Sequence, residues 1–120
     1  MNEPVDFVMS QILVVDDDDD VRGVLVETLH DLGYTVTEAA SGEEALPLLD
    51  AASGIALVIT DVRMPGMSGF DLVAQARAVR AGLKVIVISG YFQPQPVAMR
   101  LLRKPFHMHD LASAVRAELG

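Results

Sequence analysis

Hydrophobic residues along the chain follow two alternating patterns. Short, nearly continuous apolar runs occupy residues 11–15, 55–60 and 84–88, and they are rich in valine and isoleucine. Such runs are typical of strands that are buried on both faces of a parallel sheet. Residues 34–38 alternate between polar and apolar side chains, and Leu101 with Leu102 forms one more short apolar run. The pattern therefore predicts five strands.

Between the strands, apolar residues recur at the three- and four-residue spacing of amphipathic helices. The predicted helices cover residues 19–32, 69–80 and 108–119, with one more starting at Ser41, which has capping-box spacing to Glu44. Gly33 is placed to stop the first helix, and Pro47 should kink the second or shift its start. The expected apolar face of the first helix includes Val21, Val24, Leu25, Leu29 and Leu32, and that of the third includes Phe70, Leu72, Val73, Ala76 and Val79.

The order of these elements is a β-α unit repeated five times, with a degraded fourth helix. Only residues 89–99 are available for the fourth crossover, and they include Pro94 and Pro96, so any helix there is short or absent. The predicted fold is α/β: an open, doubly wound, five-stranded parallel sheet in the order 2-1-3-4-5, flavodoxin-like. Residues 1–10 are interpreted as an extension or linker, and residues 11–120 as one domain.

Composition and charge narrow the functional classes. The formal net charge of −8 argues against nucleic-acid binding, which needs lysine and arginine at phosphates. The same charge fits a domain that recruits Mg²⁺ or a basic partner, or it serves only solubility. The chain has no cysteine, so disulfides and thiolate metal sites are excluded. No apolar run is long enough for a membrane span and the first residues lack a basic signal, so a cytoplasmic location is the default expectation.

Polar residues at the strand ends predict one site. Asp16 and Asp17 follow the first strand, Asp61 the third, Ser89 the fourth and Lys104 the fifth. In a 2-1-3-4-5 sheet the first and third strands are neighbours, so their carboxylates should meet at the carboxyl edge. Carboxylates without histidine or cysteine favour a hard cation such as Mg²⁺. Asp61, alone at its strand end, is the candidate nucleophile for a phosphoryl group.

With these residues at its strand ends, the sequence resembles the receiver domains of two-component response regulators, the CheY-like family. The resemblance covers nearly all of the chain after Ser10 and rests on four motifs: VVDD at 14–17, TDVRMPGMSG at 60–69, VISG at 87–90 and LRKPF at 102–106. It implies that Asp61 accepts a phosphoryl group from a histidine kinase or phosphotransfer domain in a phosphorelay. The domain would then be a switch and not a turnover enzyme, although it would catalyse its own phosphorylation from a donor and slow dephosphorylation.

The resemblance also implies the roles of the other site residues. Asp16, Asp17 and Asp61 would hold Mg²⁺ together with the backbone carbonyl of Arg63. Ser89 would be the switch hydroxyl, Lys104 would contact the phosphoryl group, and the bond from Lys104 to Pro105 would be cis. Asp18, Asp19 and Asp20 are interpreted as helix-start acids; Asp18 is the one placed to touch a metal-bound water.

The sequence departs from the family at two places. Leu101 stands where the family usually has tyrosine or phenylalanine, whose ring turns inward on activation. The segment between Ser89 and Lys104 is shorter than usual, and it should carry the fourth helix of the family's signalling and dimerisation face. Oligomeric state, including a homodimer, stays open, as does whether this is a stand-alone regulator or the receiver of a hybrid histidine kinase.

Two other functions compete with the phosphorylatable switch. A receiver-like interaction module that is not phosphorylated should have lost a site acid or the lysine, and all are present. An aspartate-dependent phosphohydrolase would use Asp16 and Asp18 as a D-x-D pair, but Asp20 stands where such enzymes usually have threonine or valine, and the chain lacks their cap and length.

Overall fold

The computed structural model describes residues 11–50, 54–90 and 99–120. Five parallel strands form one sheet in the order β2-β1-β3-β4-β5, as the sequence predicts. The bounds of the strands are β1 Gln11–Val15, β2 Thr35–Ala39, β3 Ile55–Asp61, β4 Lys84–Ser89 and β5 Arg100–Arg103. The predicted extension at residues 1–10 lies outside the described residues, and so do residues 91–98 of the crossover predicted at 89–99.

Four α-helices and one 3₁₀ helix are present in the described part of the chain. The α-helices are α1 Asp19–Asp31, α2 Gly42–Ala45, α3 Gly69–Val79 and α4 Met108–Leu119, and the 3₁₀ helix is Leu46–Leu49. Gly33 follows α1 with φ of 98°, a left-handed conformation that favours glycine and ends a helix. Within the described residues, no helix is long and apolar enough to cross a membrane.

The helices cover both faces of the sheet. Side chains alternate across each strand, so Ile12 and Val14 of β1 enter one core, while Leu13 and Val15 enter the other. Helices α1 and α4 bury Leu25, Leu29, Leu111 and Val115 in the first core; α3 buries Leu72, Val73 and Ala76 in the second. Each fully buried side chain of this size contributes about 1.5–3 kcal/mol of transfer free energy. The two cores hold the strands, and with them the strand ends, in fixed positions.

The helices differ from the sequence-based expectations in which residues they bury and in where they end, whereas the expected disturbance at Pro47 is present. Val24, Leu32 and Val79 are 52%, 45% and 71% exposed, because the buried stripes of α1 and α3 are narrower than their apolar patterns. The second helix makes a single α-turn and continues as a 3₁₀ helix, which carries Pro47 in its first turn, where the missing N–H costs little. The third helix ends at Val79, with Arg80 as its C-cap.

Candidate functional site

The carboxyl edge of the sheet brings three carboxylates together. Val15 pairs with Thr60 across β1 and β3, so the next residues, Asp16 and Asp61, lie side by side where the strands end. One carboxylate oxygen from each of Asp16, Asp17 and Asp61 lies within 4.8 Å of the others. The sequence predicted this meeting from strand order alone, and it follows from the parallel register of the two strands.

Asp16 is the buried member of the cluster, with 1% of its surface exposed. Its Oδ1 accepts a hydrogen bond from the Asp18 amide at 2.9 Å, whereas its Oδ2 is buried and has no hydrogen-bond partner among the described residues. Burial raises the pKa of the Asp16 carboxyl, and the negative charge of Asp61 raises it further. When the Asp16 carboxyl is ionised, its Oδ2 therefore has no hydrogen-bond donor among the described residues.

Asp61 ends β3 and is partly exposed. Its Oδ1 accepts a hydrogen bond from the Val62 amide at 3.0 Å and lies 3.7 Å from Lys104 Nζ. Burial raises the pKa of the Asp61 carboxyl above its ordinary value, while Lys104 and the Val62 hydrogen bond oppose that rise. Asp61 is thus held through its Oδ1, with the Lys104 ammonium beside it.

Asp17 is the exposed member of the cluster, and none of the described residues donates a hydrogen bond to its side chain. The next acid, Asp18, is the N-cap of α1, where its Oδ1 accepts from the amides of Asp20 and Val21. Asp19 and Asp20 form the first turn of α1, as the helix-start interpretation predicted.

The loop after Asp61 is held in place by hydrogen bonds at the start of α3, to α2 and to Val62 directly after β3. Ser68 and Asp71 form a capping box at the start of α3, and the Glu43 carboxylate accepts from the Met67 amide at 3.2 Å. The Gly69 amide donates to the Val62 carbonyl at 2.9 Å, and a Cβ at Gly69 would overlap the Asp61 carbonyl oxygen. Glycine is therefore required where α3 turns back against the strand end.

The fourth and fifth strands bring the remaining predicted residues to the same edge. Ser89 ends β4, is 2% exposed, and its carbonyl accepts from the Lys104 amide at 2.8 Å. The bond between Lys104 and Pro105 is cis, as the resemblance implied. Leu101 pairs with Val87 and packs, partly buried, on the core beneath α3. Arg63 is exposed on the loop two residues after Asp61.

The donor set fits a hard divalent cation. Three carboxylates converge, and the buried Asp16 Oδ2 lacks a partner among the described residues, although buried polar atoms normally have one. Oxygen ligands of this kind suit Mg²⁺. A cation bound here would offset both the buried charge and the mutual repulsion of the cluster.

One contact at this edge was not anticipated from the sequence. Arg22 in α1 donates to the Asp16 carbonyl oxygen at 2.7 Å and to the carboxylates of Asp19 and Glu38. The three-residue spacing from Asp19 could have signalled that helical pair. The bonds to the ends of β1 and β2 depend on the sheet, because these residues lie 6 and 16 positions away.

The structure thus places an acidic pocket beside a lysine at the carboxyl edge of a doubly wound 2-1-3-4-5 sheet. The family model for the response regulator receiver domain matches residues 12–116 of this chain. The chain belongs to that family and is a receiver domain of two-component phosphorelay signalling.

Individual relatives agree with this assignment. The sensor kinase CckA of Brucella abortus is 38% identical over 116 residues, which are 90% of this chain and 12% of the kinase. The response regulator receiver protein CpdR of the same organism is 35% identical over 118 residues, covering 92% of this chain and 98% of that protein. The crystal structure of TrrA from Thermotoga maritima, in complex with Mg²⁺ and BeF, superposes with a TM-score of 0.82 at 34% identity, covering 92% of this chain and all of TrrA.

Proposed function

We propose that Asp61 is the phosphoacceptor of this receiver domain. Its Oδ1 accepts a hydrogen bond from the Val62 amide and lies 3.7 Å from Lys104 Nζ, so the carboxylate is held in orientation while it stays partly exposed to a donor. In the transfer, the N–P bond of a phosphohistidine breaks as the O–P bond of an acyl phosphate forms. The observation that carries the proposal is the convergence of three carboxylates within 4.8 Å, with Lys104 Nζ 3.7 Å from Asp61.

The remaining site residues bind and orient the group. Asp16 and Asp17, with Asp61 and the backbone carbonyl of Arg63, would hold Mg²⁺, which supplies positive charge for the phosphoryl oxygens. The TrrA complex with Mg²⁺ and BeF supports this assignment by similarity. The Lys104 ammonium pairs with the charge that Asp61 gains.

We assign to Ser89 the role of switch hydroxyl, which would report the modified state. Its hydroxyl would donate a hydrogen bond to a phosphoryl oxygen, and its carbonyl is already bonded to the Lys104 amide. Movement of the Ser89 end of β4 would therefore be passed to β5. Leu101 on β5 has no polar tip, so the readout at that strand would depend on packing and not on a hydroxyl-bearing ring.

The phosphodonor is proposed to be a histidine kinase or a histidine phosphotransfer protein, acting in the cytoplasm. The chain spans 12% of CckA and 98% of CpdR, so both a place in a hybrid kinase and a single-domain regulator are consistent with its relatives. The pocket gathers three carboxylates and the formal net charge of the chain is −8. Both favour a donor with basic residues around its histidine and disfavour nucleic acid.

An apolar strip borders the pocket and would complete the donor's footprint. Val24 and Met108 are 52% and 41% exposed, and with Asp20, Val21 and Phe106 they line one groove between α1 and the start of α4. Asp20 lies in the first turn of α1, directly after the pocket acids. A helix of the donor seated here would bring its phosphohistidine to the carboxyl edge of the sheet.

The test is phosphorylation by acetyl phosphate, with and without Mg²⁺, read by intact mass. The wild-type chain should gain one phosphoryl group only with Mg²⁺, and Asp61→Asn should gain none. Asp31→Asn, an exposed acid at the end of α1, is the matched control and should behave as wild type. A folded chain that binds Mg²⁺ but is never modified, even by a phosphorylated donor protein, would favour the unphosphorylated interaction module.

A further inference from the structure

Arg22 connects three parts of the chain beside the acidic pocket. Its Nε donates to Glu38 at 2.9 Å at the end of β2, its Nη2 to Asp19 at 2.6 Å in α1, and its Nη1 to the Asp16 carbonyl at 2.7 Å. The Arg22 side chain is only 14% exposed. A planar guanidinium that donates in three directions is fixed in orientation, which a lysine could not reproduce.

The bond to the Asp16 carbonyl fixes more than one atom. A peptide unit is planar, so holding that carbonyl sets the plane that continues to the amide of Asp17. On the other side, the Asp16 amide donates to the Ala39 carbonyl at 3.2 Å. The backbone at the end of β1 is therefore held from both neighbours, and the direction in which Asp17 leaves it is determined.

Asp17 depends on this backbone because its side chain is exposed and receives no hydrogen bond from the described residues. Asp16, by contrast, is buried and bonded to the Asp18 amide, and Asp61 is bonded to the Val62 amide. Among the three carboxylates, Asp17 is the one whose placement must come from the main chain.

We propose that Arg22 is a positioning residue that prepares Asp17 for cation binding. It acts through the 16–17 peptide unit and touches neither the cation nor the phosphoryl group. The proposal rests on the Mg²⁺ site of the proposed function and adds to it the residue that sets the geometry. Groups that orient metal ligands typically change metal affinity 10–100-fold when they are removed.

The sign of the effect separates positioning from simple electrostatics. Removing a positive charge near an acidic pocket makes the local potential more negative, which by itself would strengthen Mg²⁺ binding. Loss of positioning weakens Mg²⁺ binding instead. Arg22→Met removes both the charge and the donors, whereas Arg22→Lys keeps the charge and loses the three-way geometry.

The experiment is a Mg²⁺ titration of the wild-type chain and both variants, followed by calorimetry and by amide NMR shifts. The matched control is Arg116→Met, because Arg116 is exposed and lies two residues before Glu118. Glu118 pairs with Arg100 at the start of β5, which is the end of that strand away from the pocket. We expect Arg22→Met and Arg22→Lys to bind Mg²⁺ about 10–100-fold more weakly, and the control to match wild type. Without Mg²⁺, the amide shifts of Asp17 and Asp18 should move in both Arg22 variants and stay in the control.

Several results would overturn the inference. If Arg22→Met binds Mg²⁺ more tightly and Arg22→Lys binds it as wild type does, Arg22 acts only through its charge. If both variants fold, are less stable and keep the wild-type dissociation constant for Mg²⁺, Arg22 has only a structural role. Glu38→Ala removes one hydrogen-bond acceptor of the Arg22 guanidinium while Arg22 itself stays intact, and it should weaken Mg²⁺ binding less than the Arg22 variants do. If the wild-type chain binds Mg²⁺ but is not phosphorylated, the proposed function fails while the Arg22 comparison stands.

Discussion

The acidic pocket should destabilise the fold when no cation is present, and Asp16→Asn should therefore stabilise it. Asparagine has nearly the same shape, and its Oδ1 can still accept from the Asp18 amide. Its amide group would occupy the position of the buried Oδ2, which lacks a partner among the described residues, and could donate to a neighbouring carboxylate. The substitution thus removes a buried charge without removing its one hydrogen bond.

The magnitude follows from the separation of the charges. Two unit charges 4.8 Å apart, the upper limit between the cluster oxygens, repel by about 1 kcal/mol in water and about 3.5 kcal/mol at an effective dielectric of about 20. We expect the free energy of unfolding of Asp16→Asn to exceed that of wild type by about 1–3 kcal/mol in EDTA. With a urea m-value of about 1–3 kcal/mol per molar, the midpoint should rise by about 1 M.

The pH dependence of this difference has a defined sign. Burial raises the pKa of Asp16 in the folded state, so the folded chain binds the proton more tightly than the unfolded chain. Stability from this group therefore falls as pH rises from the unfolded pKa through the raised folded pKa, and the penalty is complete above both. The advantage of Asp16→Asn should be largest near neutral pH and should shrink as pH falls through the folded pKa.

The assay is urea unfolding followed by circular dichroism, in EDTA and in Mg²⁺, with Asp31→Asn as the control. Mg²⁺ should stabilise wild type by RT ln(1 + [Mg²⁺]/Kd) and should stabilise Asp16→Asn much less, because a ligand is lost. The control should match wild type in both conditions. A variant that is less stable than wild type in EDTA at neutral pH would refute the reasoning, since the charge on Asp16 would then be compensated within the fold.

Three further predictions concern the loop, the lysine and the apolar groove. Gly69→Ala should lower the free energy of unfolding by more than 1 kcal/mol, because a Cβ there overlaps backbone, whereas Gly82→Ala has open space and should be neutral in the same urea assay. Lys104→Met should cost about 1 kcal/mol or less in EDTA, since the partly exposed ammonium is screened; a larger loss would show a tighter pair than its 3.7 Å distance to Asp61 implies. Val24→Glu should slow phosphotransfer from a phosphorylated histidine phosphotransfer protein while leaving acetyl phosphate labelling unchanged. If the variant receives the phosphoryl group from the protein donor at the wild-type rate, the groove is excluded from docking.

Strand order and the candidate pocket were accessible from the sequence because they depend on regular patterns. The nearly continuous apolar runs within β1, β3 and β4 identify buried parallel strands, and the acids at the carboxyl ends of the β1 and β3 runs then have to meet at one edge. The strong local signals at Gly33 and Ser41 located helix ends for the same reason. Such features depend on a few neighbouring residues and on general rules of chain connection.

Only the tertiary structure decided which apolar residues are buried and which contacts support the pocket. Val24 and Val79 fit a helical pattern, yet they are exposed, because the side of each helix that the other described residues bury does not extend to them. Arg22 looks in the sequence like a partner of Asp19, but its bonds to Glu38 and to the Asp16 carbonyl exist only because β1 and β2 end side by side. Residue patterns determine faces and strand ends, whereas packing determines the partners that hold each carboxylate in place.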